Sequence, residues 1–600
     1  MRSLGLGVEG FQPHSLIVDT CGIYYDATRP SDLEKLIIAA DFCPTLLSRA
    51  SKAITLLRHY RLSKYNHAPD RPTLPTTDKK RVLVVDQTFG DPSVSYGAAT
   101  ATTFIEMLDS ALAENPAAEL VVKIHPDVIA GKKQGYLLEA ARARHCRVLS
   151  DDINPWALFD RVDRVYVVTS QLGFEALMAR LPVSCFGLPF YASWGLTDDR
   201  QSCPRRAVSR TLEQLFAAAY LRYCRYANPY TLERCELEDT IALIADQKRQ
   251  RDRLQGDWLG VGFSGWKRRF VGGFLGSEAP IRFQSNPALA IEQHRPNERL
   301  LGWSSRISTE LEQCCAAKNI PLWRMEDGFI RSVGLGVDLI RPLSLVIDSR
   351  GIYYDSSGPS DLETLLESHP FPADLLERAH KIRQRLVELN LSKYNVGKLE
   401  QLDLPANQRI LLVPGQVETD ASIAKGSPVI QTNLALLQAV RHSNPNAFII
   451  YKPHPDVLSG RRIGELPHSQ AALYDLLVTE ISMPVLLRQV DEIHTMSSLT
   501  GFEALLRELK VVAYGMPFYA GWGLTEDLLS CERRTRKLTL EQLVAATLIL
   551  YPSYVEPDNG QICNVETIIE LIDQRRAEVA GPSLKTLLYR LYRNLFEGRV

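Results

Sequence analysis

The sequence predicts an α/β protein of two tandem modules, each a pair of Rossmann-like lobes facing across a cleft. Three observations lead there. The chain has 600 residues, about four times the usual domain size of ~150. Long segments recur at a nearly constant offset. Within each copy, short β-rich runs alternate with helical patterns, the mark of a parallel sheet covered by helices.

The recurrence sets the organisation. RSLGLG at Arg2–Gly7 returns as RSVGLG at Arg331–Gly336, an offset of 329. The same offset carries SLIVDTCGIYYDATRPSDLEKL from Ser15 onto SLVIDSRGIYYDSSGPSDLETL from Ser344, LSKYN at Leu62 onto Leu391, and HPDV at His125 onto His454. After one deletion the offset is 328, which brings GFEAL at Gly173 onto Gly501 and GLPFYASWGLTDD at Gly187 onto GMPFYAGWGLTED at Gly515. So long a period excludes a solenoid and gives modules over residues 1–255 and 256–575, followed by a basic amphipathic helix over 576–600. The copies are unequal. The second has about 75 further residues ahead of Arg331, from near Trp258, including LLGWSSR and PLWRMEDGF. The first module is expected to lack the start of its first lobe, either naturally or because the true start lies upstream. Unpaired sheet edges favour the upstream start.

In the complete copy the expected strands are WLGVGF, RLLGWSS, LSLVID, RILLVPG, AFIIYKP, EIHTMS and VVAYG, with helices between them and the second lobe starting near Gln408. Ser31-x-x-Glu34 and Ser360-x-x-Glu363 read as capping boxes. LTLEQLVAATLILY (Leu538–Tyr551) has the apolar spacing of a helix.

Composition narrows the class. The apolar share of 45% and charged share of 23% are those of ordinary globular chains. The 69 Lys and Arg nearly balance 70 Asp and Glu, which removes the whole-protein case for nucleic-acid binding. No apolar run reaches the ~18 residues of a spanning helix, and the first residues do not form a signal peptide. The eleven cysteines have no C-x-x-C or zinc-like spacing, so they read as reduced thiols in a cytosolic protein. Cys203/Cys531 and Cys235/Cys563 align between copies and read as small core residues.

The repeated polar motifs fall at strand ends, where ligands of doubly wound sheets gather. Lys123-Ile-His125 and Lys452-Pro-His454 each follow an apolar run and precede a basic pair (Lys132-Lys133 or Arg461-Arg462). A Lys and an imidazole there could both meet a phosphate; alternatively the His caps its own turn. Next come VVTSQLGFEAL and HTMSSLTGFEAL, where a strand runs into Thr169-Ser170 or Ser497-Ser498 and a helix begins. Helix-start N–H groups with flanking hydroxyls suit a phosphate. Glu175 or Glu503 could accept from ribose hydroxyls, or only complement the helix dipole.

In the third constellation Gln87/Gln416, Asp91/Asp420 and Ser93/Ser422 are shared, whereas Asp86 faces Gly415. Asp91 and Asp420 could be nucleophiles or bases, or helix N-caps. Trp194 and Trp522 in the PFYA loops could line a sugar site or pack lobes together. Arg324-Met-Glu326-Asp327-Gly-Phe329, present only in the second copy, could touch a sugar or form a solvated turn. The tail from Pro582 could lie on an anionic membrane or pack on the preceding domain.

EDGFIRSVGLG, PLSLVIDSRGIYYD, K-x-H-P-D, S-S-x-x-G-F-E-A-L and PFYAGWGL resemble the bacterial capsule-synthesis proteins of the KpsC (LipB) family, over nearly the whole chain. The resemblance implies two GT-B-like modules, each a retaining β-Kdo glycosyltransferase using CMP-Kdo. Together they would build the poly-Kdo linker on a (lyso)phosphatidylglycerol anchor, in alternating β-2,4 and β-2,7 linkages, in capsule biosynthesis and export. It implies that Lys123, His125, Ser170 and Glu175, and Lys452, His454, Ser497, Ser498 and Glu503, hold CMP. Retention by double displacement makes Asp91 and Asp420 the nucleophile candidates. Gln87, Gln416, Glu326 and Asp327 are then candidates for touching sugar or acceptor. CMP is a good leaving group, so no metal or other cofactor is expected. The implied partners are CMP-Kdo, a glycolipid acceptor and other capsule synthesis and export proteins, with no nucleic acid. The implied place is the cytoplasm, peripheral to the inner face of the cytoplasmic membrane. The alternatives are a transferase using another CMP-sugar, such as CMP-sialic acid, and a non-catalytic export or scaffold protein.

Overall fold

A computed structural model of the chain describes residue 4 and residues 12–71, 74–129, 131–276, 279–332, 340–393, 397–458, 463–466 and 468–578. The chain divides into two compact units, residues 1–248 and 249–600. The division falls inside the helix Leu237–Leu254. The tail from Pro582 and the Arg461-Arg462 pair lie outside the described residues.

Each unit contains one six-stranded, wholly parallel sheet. In the second unit its order is Leu476–Leu477, Phe448–Lys452, Ile410–Pro414, Glu492–Thr495, Lys510–Ala513, Glu526–Asp527. Numbered along the chain this is 3-2-1-4-5-6, the doubly wound Rossmann order. The first unit repeats it with Arg147–Leu149, Glu119–Lys123, Arg81–Val85, Arg164–Val167, Val183–Cys185 and Asp198–Asp199.

Helices cover both faces, and the central strands are apolar for that reason. Alternate residues of Arg81–Val85 enter different cores: Leu83 and Val85 one, Val82 and Val84 the other. Against the second core the helix Ala101–Glu114 sets Phe104, Met107, Leu108 and Ala111, the spacing of one helical face. In the second unit Leu436, Leu437 and Val440 of Asn433–Ser443 cover Leu411 and Val413 in the same way.

The other lobe of the second unit is a mixed seven-stranded sheet rather than a wholly parallel one. Ile281–Gln284, Trp258–Val261, Arg299–Trp303 and Leu322–Asp327 run parallel. Ser344–Asp348, Pro552–Val555 and Ile562–Cys563 then add antiparallel. The last two strands come from beyond the six-stranded lobe, so the chain returns to complete the first lobe. The first unit has the corresponding three antiparallel strands, Ser15–Leu16, Arg225–Ala227 and Arg234–Cys235.

Two local expectations are corrected. Ser31 and Ser360 do cap helices Asp32–Ala39 and Asp361–Ser368, accepting from the N–H of Glu34 and Glu363. The glutamates do not close the boxes. Glu34 pairs with Arg205 and Arg206, and Glu363 with Arg533 and Arg534; two guanidiniums outcompete one backbone N–H for a buried carboxylate. The box forms instead at Thr539 and Gln542, opening a helix over Leu540–Val544 that widens to a π-helix over Ala545–Leu550.

Candidate active site

A 3-2-1-4-5-6 sheet opens a crevice beyond the carboxyl ends of strands 1 and 4, where the connections leave in opposite directions. In the second unit those strands are Ile410–Pro414 and Glu492–Thr495, and the residues that follow them are joined by Gln416. Its side-chain oxygen accepts from the Ser497 N–H at 3.0 Å, and its nitrogen donates to Ser497 Oγ at 3.2 Å. Ser497 Oγ in turn donates to the Ser422 carbonyl at 3.0 Å. In the first unit Gln87 accepts from the Thr169 N–H at 3.0 Å and donates towards Thr169 Oγ1, Ser93 Oγ and Asp91 at 3.1, 3.3 and 3.4 Å. The structure thus brings the expected Gln, hydroxyl and Asp residues to the switch point of each sheet.

Their individual tasks are more local. Asp91 and Asp420 cap the helices Pro92–Tyr96 and Ala421–Gly426, each accepting from the N–H two residues on at 2.9 Å. Ser498 caps Leu499–Leu505 through the Thr500 N–H at 3.2 Å, and Ser170 Oγ accepts from the Leu172 N–H at 3.3 Å. Lys123 and Lys452 end the second strand. Their ammonium groups donate to the carbonyls of Asp151 at 2.6 Å and Thr479 at 3.3 Å. Burial lowers both, Lys123 to about 8. His454 Nδ1 accepts from the Asp456 N–H at 3.1 Å, which caps its own turn and places the proton of the neutral ring on Nε2. His125 occupies the matching turn, where its charge bears on Asp152.

Glu175 and Glu503 depart from the expected ribose contact. They are buried, 2% and 8% exposed. Their carboxylates accept from the backbone N–H of Lys64 at 3.0 Å and Lys393 at 2.9 Å, in the two LSKYN segments. Burial raises both, Glu175 to about 7. These residues fasten the segment between lobes to the six-stranded sheet. The glycine of GFEAL is a packing residue as well: a Cβ on Gly173 or Gly501 would lie 2.2 Å from the hydroxyl of Tyr191 or Tyr519. The PFYA loops also pack. Trp194 and Trp522 are 1% and 0% exposed, donate to Phe190 and Phe518 carbonyls, and lie under Arg206 and Arg534.

The acid pair is no solvated turn. Glu326 and Asp327 end the strand Leu322–Asp327 of the seven-stranded sheet. Arg331 holds Asp327 at 2.8 Å. Glu326 keeps a partial opening to solvent, yet the protein around it and the neighbouring Asp327 raise its pKa, against Lys267 and Lys393, which favour the charged form. Phe329 of the same motif packs between Tyr353 and Phe518, tilted against each with ring centres 4.9 Å apart. The two sheets of this unit converge on Tyr353 and Tyr354. Burial raises both hydroxyls, and Glu326 and Asp420, from opposite lobes, add to the shift. Tyr354 donates to Ser304 Oγ at 2.8 Å, and the next residue, Asp355, pairs with Lys425 at 2.8 Å. Sequence reasoning passed over Tyr353, Tyr354, Arg331 and Lys393. GIYYD and LSKYN recur in both copies, and that recurrence was the available signal.

The family model described as capsule polysaccharide biosynthesis protein matches residues 7–226 and 298–554, one stretch in each copy. The chain belongs to this capsule polysaccharide biosynthesis family. Among its relatives, the capsule polysaccharide modification protein LipA of Neisseria meningitidis serogroup B is 48% identical over 590 residues, 96% of this chain and 84% of the relative. The lipopolysaccharide-processing protein LpsZ of Rhizobium meliloti is 46% identical over 266 residues, 42% of this chain and 60% of LpsZ. Two solved structures of Thermosulfurimonas dismutans KpsC are similar. The beta Kdo 2,4 transferase shares 32% identity over 52% of this chain and 97% of its own, with a TM-score of 0.47. The beta Kdo 2,7 transferase shares 37% over 54% and 100%, with a TM-score of 0.46. No helix among the described residues is long and apolar enough to cross a membrane.

Proposed function

We propose that this member of the capsule polysaccharide biosynthesis family is a retaining glycosyltransferase that moves Kdo from CMP-Kdo onto a glycolipid acceptor at the inner face of the cytoplasmic membrane, alongside other capsule synthesis and export proteins. The observation that carries it is the convergence in the second unit of a nucleotide-type switch point (Gln416, Ser497, Ser498, with Lys452 and His454 one strand away) and an acid pair (Glu326, Asp327) on Tyr353–Tyr354. The donor class follows from the motif resemblance. CMP would sit at the switch point, where cationic and N–H donors meet its phosphate. Departure of CMP needs only those donors and no metal.

Retention calls for a carboxylate that attacks the anomeric carbon as the bond to CMP breaks, followed by displacement of that ester by the acceptor hydroxyl. Two side chains compete for this task. Asp420 is the nucleophile expected from the sequence, but it is engaged as a helix cap. Asp327 ends a strand of the facing lobe and is aimed by Arg331. Beside it, Glu326 is held partly protonated by burial and suits general acid–base work. The geometry favours Asp327.

Incubating the full chain with CMP-Kdo and reading intact mass tests both levels. One added Kdo that persists in D420A and vanishes in D327A supports this assignment; the reverse pattern returns the role to Asp420. Transfer with no adduct in any variant replaces double displacement by a front-face route. A folded chain giving neither adduct nor CMP release favours the export-scaffold reading.

A further inference from the structure

The carboxyl edge of the seven-stranded sheet carries a group suited to recognising the donor. Kdo carries a carboxylate on its anomeric carbon, the atom that reacts. An attacking Asp or Glu therefore brings a second negative charge beside the first, and a cation has to stand between them and the solvent-poor cleft. The cations around the acid pair have mostly been committed. Arg331 is bonded to Asp327 and Ser332, and Lys425 to Asp355. Lys267 differs. It lies in the short turn of helix Gly265–Arg268, just past the carboxyl end of Trp258–Val261. Its ammonium sits 2.9 Å from the centre of the Trp303 ring, at the end of the next strand. The charges of Glu326, Asp327, Arg306 and Arg331 all bear on it, yet its Nζ has no hydrogen-bond acceptor among the described residues.

Resting on the transferase reading above, we propose that Lys267, steadied on the face of Trp303, binds the carboxylate on the anomeric carbon of the donor and so selects 2-keto acid sugars over neutral ones. The ring holds the ammonium in place through its quadrupole, and the N–H donors turned away from the ring stay open. Those donors are left for a carboxylate. Ser304, fixed by Tyr354, closes the same edge. Burial lowers the Lys267 pKa to about 8 in the resting site, and an incoming carboxylate would favour the charged form further. Glu326 lies close enough to repel a carboxylate that Lys267 did not neutralise, so the same pair that performs chemistry also requires the cation.

The test uses the full chain with K123A and H125A in the first copy, so that the second copy alone is read. CMP release gives KM for CMP-Kdo, and inhibition by CMP, which has no carboxylate, gives the affinity of the nucleotide part. K267M is expected to raise KM for CMP-Kdo by about 10- to 100-fold, the loss of one charge-assisted hydrogen bond, with inhibition by CMP within about twofold. K267R should recover much of the loss. An unchanged KM in K267M overturns the proposal. A parallel loss of CMP inhibition also overturns it, since Lys267 would then support the site as a whole. A folded parent chain that releases no CMP from CMP-Kdo refutes the transferase reading itself, and the role of Lys267 with it.

Discussion

The two copies hold the same switch point by different means. In the first unit the Asp86 carboxylate accepts from the N–H groups of Gln87, Tyr136 and Leu137 at 2.9, 3.1 and 3.3 Å. In the second, Gly415 stands at that position and the holding passes to Asn433. Its Oδ1 accepts from the Gln416 N–H at 2.9 Å, and its Nδ2 donates to the carbonyls of Gln416 and Gly464, both at 2.9 Å. Each holder presses on a glycine. A Cβ on Gly135 would lie 2.4 Å from Asp86 Oδ2, and one on Gly464 2.8 Å from Asn433 Nδ2. What the duplication kept is the position of the loop and its glutamine, and the chemistry behind it was free to change between a charged and a neutral holder.

A second difference bears on activity. The strands from Trp258 to Asp327 bring Lys267, Glu326 and Asp327 to the second unit, and the described residues of the first unit contain no counterpart of these. D327A is therefore expected to remove transfer by the second copy by at least about 10³-fold, as loss of a nucleophile does. D91A in the first copy should leave that step untouched. Linkage analysis of the products from each variant reads the two copies separately. Residual second-copy transfer within tenfold of the parent would dissolve the contrast between the copies.

Where the copies agree, they should respond alike. Glu34 and Glu363 each receive two guanidiniums, one of them buried: Arg206 at 3.0 Å and Arg534 at 3.0 Å, with side chains 3% exposed. Those arginines also donate to the carbonyls of Pro189 and Ala192, or Pro517 and Ala520, which ties the PFYA loop to the first helix. Removing the carboxylate leaves a buried charge without its partner, at a cost of about 3–5 kcal/mol. E34A and E363A are each expected to destabilise their own unit by that amount in calorimetric unfolding. A large loss in one and under about 1 kcal/mol in the other would break the equivalence.

These glutamates also mark the limit of sequence reading. Each expected strand of the complete copy is present, because alternation and apolar runs are local signals. The capping serines are present for the same reason. The partners of Glu363 lie 170 and 171 residues away, and no local pattern reveals them. Glu503 is a similar case: a carboxylate in an early helical turn suits a ribose, but the LSKYN backbone reaches it first. The switch point was legible only in pieces. Gln416, Asp420, Ser497 and Ser498 were picked out by repetition, yet the order 3-2-1-4-5-6 that makes them neighbours is a property of the sheet. Lys267 and Trp303 sit in segments with no repeat to compare, so that filter passed over them.

The holders themselves predict a pH contrast. Burial raises Asp86 from 3.8 to about 6. The folded first unit thus binds the proton more tightly than the unfolded chain. The stability this contributes is fully present below pH 3.8 and is lost as pH rises through about 6. The effect is at most about 3 kcal/mol. D86N should remove it, so that the first unit loses less stability than the parent between pH 4 and pH 6.5 while the second unit is unchanged. An identical pH response in parent and D86N would mean that the loop relaxes around the ionised carboxylate.

The smallest expected effect probes the glutamine that both copies share. Q416A removes the contacts to Ser497 and is expected to weaken CMP binding at the second site by about tenfold, the size of one or two neutral hydrogen bonds. Q416E is the sharper variant. It keeps an oxygen to accept the Ser497 N–H and so preserves the loop, but it sets a negative charge where the phosphate is expected. If the crevice holds the phosphate, Q416E binds CMP more weakly than Q416A, and the gap narrows as salt is raised. If Gln416 only fastens the loop, Q416E binds at least as well as Q416A. At Gln87 the nitrogen already faces Asp91 at 3.4 Å, so Q87E brings two carboxylates together even without ligand. It should therefore destabilise the first unit as well as its nucleotide binding, whereas Q416E, at a side chain whose nitrogen faces Ser497 Oγ rather than a carboxylate, should affect binding alone.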